Sequence, residues 1–395
     1  MRVAIVGGGI VGLATANKLL LAQPSCKVFI LEKEAAVGQH QSGHNSGVLH
    51  AGLYYAPGSS KARLAVSGIK QMTEYAREHE IPHEICGKLV VATEASEVPG
   101  LRKLEERGRQ NGLKGVRWLN PAEMRKIEPH CAGVAALHVP EEGIIDYRAV
   151  CRSLASDFES RGGQIHTGFG AESILERRGE WILRDGKRET TADFIVGCAG
   201  LHSDRVAEMS GGKGEVRIIP FRGEYFKLRS EAGRLVRNLI YPVPDAVFPF
   251  LGVHFTRQIS GGIEAGPNAV LALAREGYRK RDIDPRDLWD SLSYPGLWRF
   301  LKAHSRMCLA EVRRSLSLRS FGNSLRRLVP ELRDEDLEPG GAGVRAQAMS
   351  SDGTLVQDFA FVRRPRALHV VNAPSPGATA SLAIADEIVR MIGAA

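Results

Sequence analysis

Arg2-Val3-Ala4-Ile5-Val6-Gly7-Gly8-Gly9-Ile10-Val11-Gly12, followed by Leu13-Ala-Thr-Ala-Asn-Lys-Leu-Leu-Leu21 and Lys27-Val-Phe-Ile-Leu31-Glu32, decides the fold. The short β-branched run predicts a strand, the glycines a turn, the helical spacing after Gly12 a helix, and the second apolar run another buried strand. Together they make one βαβ unit of ~30 residues. Gly7-x-Gly9-x-x-Gly12 by itself is a weak signal. Here it follows a strand, opens a helix, and has an acidic residue, Glu32, twenty positions beyond Gly12 at the end of the next strand. That context identifies a dinucleotide site. The first glycine permits the tight turn, the second lets backbone approach a pyrophosphate, and the third lets the helix pack against the strand, with helix N–H groups facing the anion. Gly7, Gly9, Ile10, Val11, Gly12, Glu32 and Lys33 are the predicted contacts, with Glu32 accepting from ribose hydroxyls.

Outward from this unit, residues 39 to 55 form a loop dense in Gly, Ser, His and Asn, and a helix is expected from 60 to 80. Residues 88 to 146 mix short strands with a polar helix around 102 to 110. An amphipathic helix covers 147 to 161, and strands are expected at 164 to 167 and 181 to 184. Asp193-Phe-Ile-Val-Gly-Cys-Ala-Gly200 repeats the strand-into-glycine pattern and adds Gly200 to the cofactor contacts. Strands alternate with Pro/Gly turns from 216 to 266, residues 275 to 328 read as mostly helical and basic, and residues 367 to 392 return to strand, Pro-rich turn and helix. The expected class is α/β: a Rossmann-like domain assembled from residues 1–80, 147–215 and 340–395, and a mixed sheet-and-helix substrate domain from 81–146 and 216–339, with a basic helical segment at 275–333.

The glycine fingerprint serves NAD and FAD alike. The loop of small polar residues after the second strand, Gln41, Ser42, His44, Asn45, Ser46 and Gly47, favours FAD, because it can pass close under an isoalloxazine ring. Several further stretches resemble one family: His44-Asn-Ser-Gly-Val-Leu-His-Ala-Gly52, Tyr54-Tyr-Ala-Pro-Gly-Ser-Ser-Lys61, Pro220-Phe-Arg-Gly-Glu-Tyr225, Tyr241-Pro-Val-Pro244, Phe248-Pro-Phe-Leu-Gly-Val-His-Phe-Thr256, Gly266-Pro-Asn-Ala269 and Asn372-Ala-Pro-Ser-Pro-Gly-Ala-Thr-Ala380. With the fingerprint they are similar to the L-2-hydroxyglutarate oxidase/dehydrogenase family of the FAD-dependent amino-acid-oxidase-like superfamily, over nearly the whole chain. The resemblance implies non-covalent FAD, oxidation of L-2-hydroxyglutarate to 2-oxoglutarate, and electrons leaving to a quinone or oxygen. It also implies a C-terminal flavin loop with Gly377, Ala378 and Thr379, whose helix, starting near Gly377, points its positive end at the flavin.

Oxidising a 2-hydroxy acid calls for a base for the hydroxyl proton and cationic groups for the carboxylates. His254 is the first expected base, since it lies in the alternating run Leu251-Gly-Val-His-Phe-Thr256 and an imidazole takes a proton readily near neutral pH. His50 is the second. His44 is a flavin contact, and a histidine in such a loop is covalently attached in some related flavoproteins. Arg345, in Gly341-Ala-Gly-Val-Arg-Ala346, suits the α-carboxylate through its planar fork. Arg222, Tyr225, Tyr54, Tyr55, Lys61 and Tyr241 are candidates for the second carboxylate. An amine or amino-acid oxidase of the same fold is the alternative, because base and arginine serve either substrate. An RNA-modifying flavoprotein is the remote one.

The composition sets limits on these expectations. At 395 residues, 43% hydrophobic and 25% charged, the chain is globular and rules out disorder. No apolar run approaches the ~18–20 residues that cross a bilayer, and Met1-Arg2 leads straight into a strand rather than a secretory signal. Six scattered cysteines without a CxxC pair argue against zinc and against a disulfide scaffold, so no metal is expected and a reducing cytoplasm suits them. The net charge of +8 concentrates between Arg275 and Arg333, where 14 Lys+Arg face 7 Asp+Glu, a local +7. This stretch has few aromatics and no RNP-like pattern, which speaks against nucleic acid. Its amphipathic part, 306 to 328, reads first as a solvated helix face capping the substrate domain; the other reading is a segment lying on an anionic membrane, in peripheral contact with the cytoplasmic face of the inner membrane.

Overall fold

The computed structural model describes residues 1–211, 214, 216–245 and 251–393. Phe248, Pro249 and Phe250, part of one family-like stretch, therefore lie outside the described residues. The opening sequence forms strand β1 (Arg2–Val6), helix α1 (Ile10–Ala22) and strand β2 (Lys27–Leu31), with β1 and β2 parallel from Arg2 opposite Lys27 to Val6 opposite Leu31. They sit inside a six-stranded sheet ordered Ala360–Arg364, Ala367–Asn372, Phe194–Gly197, β1, β2, Gln164–His166, parallel throughout except for the first pair.

A parallel sheet must be covered on both faces, and its strands alternate between two cores. Val3, Ile5 and Ile30 pack against α1, helix Tyr147–Ser160 and helix Ser381–Gly393 through Leu13, Leu154, Phe158 and Ile384. Ala4, Val6, Leu31 and Ile195 face the other way, onto Ile174, Trp181 and Leu183 of a three-stranded antiparallel sheet spanning Ser173–Ala192. The strands of the main sheet thus come from both ends of the chain and its middle.

The second sheet runs Val270–Leu271, Val216–Leu228, Ile263–Gly266, His254–Arg257, Leu239–Pro242, Lys88–Ala92, Ala135–Val139, Arg117–Leu119, and Leu337–Ser350 pairs with the long strand Val216–Leu228. One side of it buries Ile240, Phe255 and Ala265 against Phe321 and Leu325 of helix Leu318–Arg326. The expected basic helical stretch is four helices, Pro285–Leu292, Pro295–Ala303, Ser305–Leu316 and Leu318–Arg326. The amphipathic segment is interrupted at Ser317, whose hydroxyl caps the last helix by accepting the Ser320 N–H at 3.2 Å. Phe321, Leu325 and Leu328 are consequently core residues, while Leu309, Val312 and Leu316 stay exposed at 71%, 45% and 78%. No helix of the described residues is long and apolar enough to cross a membrane.

Part of the positive charge read from the sequence is internal. Arg275, 1% exposed, lies between the sheets; its guanidinium pairs with both oxygens of Asp204, at 2.9 Å on Oδ2, and with Asp290 at 2.6 Å, and donates to the Leu201 carbonyl at 2.7 Å. Asp204 also accepts the Ile218 N–H at 2.9 Å, which ties helix Ser203–Met209 of the first sheet's side to the long strand of the second. Removing one partner of such a buried pair leaves an uncompensated charge. Asp204→Ala is therefore expected to lower unfolding free energy by about 3–5 kcal/mol, read by chemical denaturation, whereas reversal of the exposed Arg319 leaves it within about 0.5 kcal/mol.

Candidate active site

A cavity of about 1770 Å³ opens beyond the carboxyl ends of β1, β2, Phe194–Gly197 and Ala367–Asn372 and reaches the face of the second sheet. This is where ligands bind in open α/β sheets. At its closed end the first turn is shaped by absent side chains. Gly7 has φ +112°, and a Cβ there would sit 2.4 Å from the Cys198 carbonyl oxygen; a Cβ on Gly12 would sit 2.0 Å from the Gly7 carbonyl oxygen. Gly9 is different: its Cβ would meet only the Ser42 hydroxyl, at 3.2 Å, and would point into the cavity that Gly9 lines. The N-cap residue of α1, Gly9, offers no side chain; the Ile10 N–H donates to the Ser42 hydroxyl at 2.9 Å, and Gly9, Ile10 and Val11 of this N-terminus line the cavity. Glu32 is 8% exposed and its carboxylate accepts the Gly8 and Glu34 N–H groups at 2.7 and 2.8 Å, so one acid both fixes the turn and edges the cavity. The glycine cradle, helix N-terminus and buried acid fit the pyrophosphate and ribose of a dinucleotide.

Ile10, Val11, Lys33, Gln41, Ser42, His44, Asn45, Ser46, Gly200, Gly377, Ala378 and Thr379 also line this cavity. Gly12 and Gly47 do not: Gly12 is needed for helix packing, and Gly47, with φ +67°, turns the chain against the Ile145 carbonyl. The Lys33 ammonium pairs with Glu34 and Glu276, the latter at 2.8 Å, and His40 joins the same two acids, so its charge is already compensated. The C-terminal helix begins at Ser381 rather than near Gly377. Two prolines favour a compact turn first, in which the Gly377 N–H donates to the Pro374 carbonyl at 2.8 Å and the Ala380 N–H to that of Pro376 at 2.9 Å. The Thr379 hydroxyl accepts the His50 N–H at 3.3 Å and shares a hydrogen bond with the Tyr147 hydroxyl at 2.7 Å. It thereby locks the C-terminal loop to the loop that carries His50.

At the other end of the cavity stand His50, Tyr54, Tyr55, Lys61, Tyr225, Tyr241, His254 and Arg345. His254 opens the strand His254–Arg257, stacks on Tyr241 with centroids 3.8 Å apart, and donates Nδ1–H to the Gly252 carbonyl at 2.8 Å. A carbonyl only accepts, so Nε2 carries the lone pair. Burial, with the nearby charges of His50, Arg345 and Lys88, outweighs the Gly252 bond and pulls its pKa down to about 3. Arg345, opposite Phe221 in the long strand pair, donates to the Asn268 carbonyl at 3.1 Å, and burial lowers its pKa. The Tyr54 hydroxyl is buried without a protein hydrogen-bond partner, an acceptor and donor held ready for a ligand. Lys61 lies 5.0 Å from the Tyr55 ring centroid, its pKa lowered by burial to about 8.

Arg222 is corrected. Residues two apart on a strand share a face, and Gly223 and Tyr225 line the cavity, so Arg222 and Glu224 point away. The Arg222 guanidinium pairs with Glu224 at 3.0 Å and donates to the Arg279 carbonyl at 3.0 Å. Sequence reasoning missed Lys88 and Glu142, buried beside His50 at 1% and 0% exposure. The available signal was a lysine opening the otherwise apolar Lys88-Leu-Val-Val-Ala92, and a glutamate abutting Gly143-Ile-Ile145.

Fold and site define a flavin-dependent oxidoreductase, and residues 2–391 match the model of the FAD dependent oxidoreductase family. The structure resembles L-alpha-glycerophosphate oxidase from Mycoplasma pneumoniae (TM-score 0.81, 23% identity, 99% of this chain and 94% of that one) and glycine oxidase from Geobacillus kaustophilus (TM-score 0.75, 19% identity, 99% and 95%), likenesses that speak to fold alone. Sequence similarity goes further. The chain is 47% identical to L-2-hydroxyglutarate dehydrogenase of Indibacter alkaliphilus over 98% of its length and 97% of the relative's, and 43% identical to that of Escherichia coli over 98% and 92%. The protein belongs to the L-2-hydroxyglutarate dehydrogenase family; it is an enzyme, and its cofactor is FAD.

The cradle predicts two different failures. Gly9→Val leaves the fold intact, since its side chain meets only the end of Ser42, but fills the pyrophosphate position; the purified variant is expected to be colourless with a near-normal melting temperature. Gly12→Ala places a methyl group on a backbone oxygen and is expected to lower both flavin content and melting temperature. Full flavin content in Gly9→Val would refute the assignment.

Proposed function

We propose that the enzyme oxidises L-2-hydroxyglutarate to 2-oxoglutarate, with non-covalently held FAD, and that the electrons leave to a membrane quinone. Bound FAD supplies the acceptor for the C2 hydrogen and its electron pair. The observation that carries the reading is the convergence, at one end of the cavity, of an arginine fork, two histidines and unpartnered phenol on the side of the flavin loop. Arg345 takes the α-carboxylate; the Tyr54 hydroxyl and Lys61 take the second one.

Both histidines offer Nε2 to the hydroxyl proton, and they differ in where the proton can rest. His254 is held neutral by burial among cations, so an imidazolium there is poorly tolerated. His50 has the Glu142 carboxylate 3.5 Å behind its Nδ1. This reverses the order expected from sequence: His50 accepts the proton, and His254 orients the hydroxyl as a neutral ring. Stopped-flow reduction is expected to separate the roles. His50→Ala lowers the limiting rate of flavin bleaching by roughly 10²–10⁴ with substrate affinity kept. Arg345→Ala raises the substrate dissociation constant at least tenfold, since a charge-assisted hydrogen bond contributes ~1.5–3 kcal/mol, and Arg345→Lys recovers only part of it. A wild-type rate in His50→Ala together with a slow His254→Ala would invert the assignment; absence of bleaching by L-2-hydroxyglutarate in the wild type would end it.

The quinone is supported by the surface. Of the exposed large apolar side chains, Trp289, Leu292, Trp298, Leu309, Val312, Leu316 and Leu318 fall within the basic helices and Ile283 just before the first of them, and Arg299 and Phe300 of that region also line the cavity. Apolar side chains interleaved with cations suit an anionic bilayer. Arg313→Glu combined with Leu316→Asp is expected to reduce binding to phosphatidylglycerol vesicles at low salt by at least fivefold, the scale of ~1 kcal/mol per basic residue. A wild-type protein that ignores such vesicles would refute the membrane part alone.

A further inference from the structure

Lys88 and Glu142 do not line the cavity, yet they lie directly behind it. Lys88 opens the strand Lys88–Ala92, and Glu142 precedes the strand Gly143–Ile145. The two side chains form an ion pair at 2.5 Å, both shielded from solvent. The same carboxylate oxygen, Oε2, is 3.5 Å from His50 Nδ1, within ion-pair reach of a ring nitrogen that has no hydrogen-bond partner, and Oε1 accepts the Ala51 N–H at 3.3 Å, so Glu142 faces the ring and holds the backbone of the loop. The Lys88 ammonium stands 4.4 Å from the Tyr54 ring centroid and 4.9 Å from that of Tyr241, the ring on which His254 stacks. A buried ion pair contributes little net stability over apolar residues of the same volume. Stability therefore does not account for placing these charges here.

We infer that Lys88 and Glu142 are positioning residues for proton transfer: Glu142 holds His50 with Nδ1–H toward itself and Nε2 toward the cavity, and Lys88 keeps Glu142 ionised. The inference rests on His50 as proton acceptor. An ionised carboxylate only accepts hydrogen bonds, which sets the His50 tautomer. When the substrate hydroxyl proton moves to Nε2, the carboxylate offsets the new charge; no proton passes to Glu142, and the one on Nε2 leaves to water after the product. Burial opposes the charge on Glu142, but Lys88 and His50 together prevail and hold its pKa at about 2. The other ionisable groups around His50 are Tyr54 and Tyr55 from the segment that follows it, Tyr241 and His254 from the second sheet, and Arg345 from the long strand pair.

The test uses the flavin-loaded enzyme and two readouts. One is the pH profile of the limiting flavin-reduction rate with L-2-hydroxyglutarate; the other is the NMR titration of the imidazole resonance that disappears in His50→Gln, followed without substrate. Glu142→Gln removes the counter-charge that an imidazolium at His50 would face, so the imidazole resonance and the acid limb of the rate are expected to move to lower pH and the plateau to fall roughly 10²-fold. Lys88→Met leaves Glu142 with His50 as its counter-ion, so the titration and the acid limb move the opposite way, to higher pH. The charge-neutral double variant Lys88→Met/Glu142→Gln leaves no orphaned ion, and is expected to keep flavin and melting temperature while reducing as slowly as Glu142→Gln. Glu142→Asp, which keeps the carboxylate, is expected to restore part of the rate. A His50 titration unmoved in either single variant, or a double variant that reduces at the wild-type rate, overturns the inference. His50→Gln reducing at the wild-type rate overturns instead the role of His50 itself.

Discussion

The structure depends on one close approach: the Gly12 backbone against the Gly7 carbonyl, where a Cβ would lie 2.0 Å from the oxygen. That contact sets how near α1 lies to β1, and hence where the helix N-terminus faces. Because β1 lies between Phe194–Gly197 and β2, both strand ends open at the same rim. Glu32 completes the arrangement from β2 by accepting the Gly8 N–H, so the residue suited to a ribose also holds the turn in shape. Binding geometry and folding geometry are here a single constraint.

The other end of the cavity is built differently, from side chains that five separated segments bring together. Its coherence comes from cross-links between loops that have little regular structure of their own. Thr379 ties the C-terminal turn to the His50 backbone, and Tyr147, at the start of helix Tyr147–Ser160, closes the same knot. Glu142 adds a second hold on that loop through the Ala51 N–H. The long strand pair carries Arg345 in from the far side, and its register sets which face of Val216–Leu228 meets the cavity. Reaction geometry therefore follows from sheet register on one side and from buried hydrogen bonds on the other.

What could be read from sequence follows the range of the forces involved. The βαβ unit was legible because glycine spacing, periodicity and the acid at Glu32 are local. The loops that line the cavity are legible for the same reason, apart from Gly47, which serves a turn. Arg222 reads as a candidate for the second carboxylate because composition does not reveal strand register; one residue of alternation sends it to Glu224 instead of the cavity. The C-terminal helix start was placed four residues early because Pro374 and Pro376 favour a turn that periodicity does not register. Lys88 and Glu142, 54 positions apart in sequence, meet only once the second sheet has formed.

The electrostatics of the cavity also bear on which substrate chemistry it suits, a question the fold leaves open because its structural neighbours include a glycine oxidase. An amino acid arrives with an ammonium on the reacting carbon, close to Arg345 and to a His254 that already stays neutral among cations. Two like charges ~6 Å apart at an effective dielectric of ~20 repel by about 3 kcal/mol, more than a hundredfold in binding. A hydroxy dicarboxylate brings a neutral reacting group and two negative charges to the same walls. Its carboxylates offset Arg345 and Lys61 where an amine would add to them. The buried Lys88 contributes little to this preference, because Glu142 compensates its charge at 2.5 Å and its ammonium lies against the rings of Tyr54 and Tyr241. The site thus keeps a positive character for carboxylates without presenting an unpaired cation at the carbon that must lose its hydrogen.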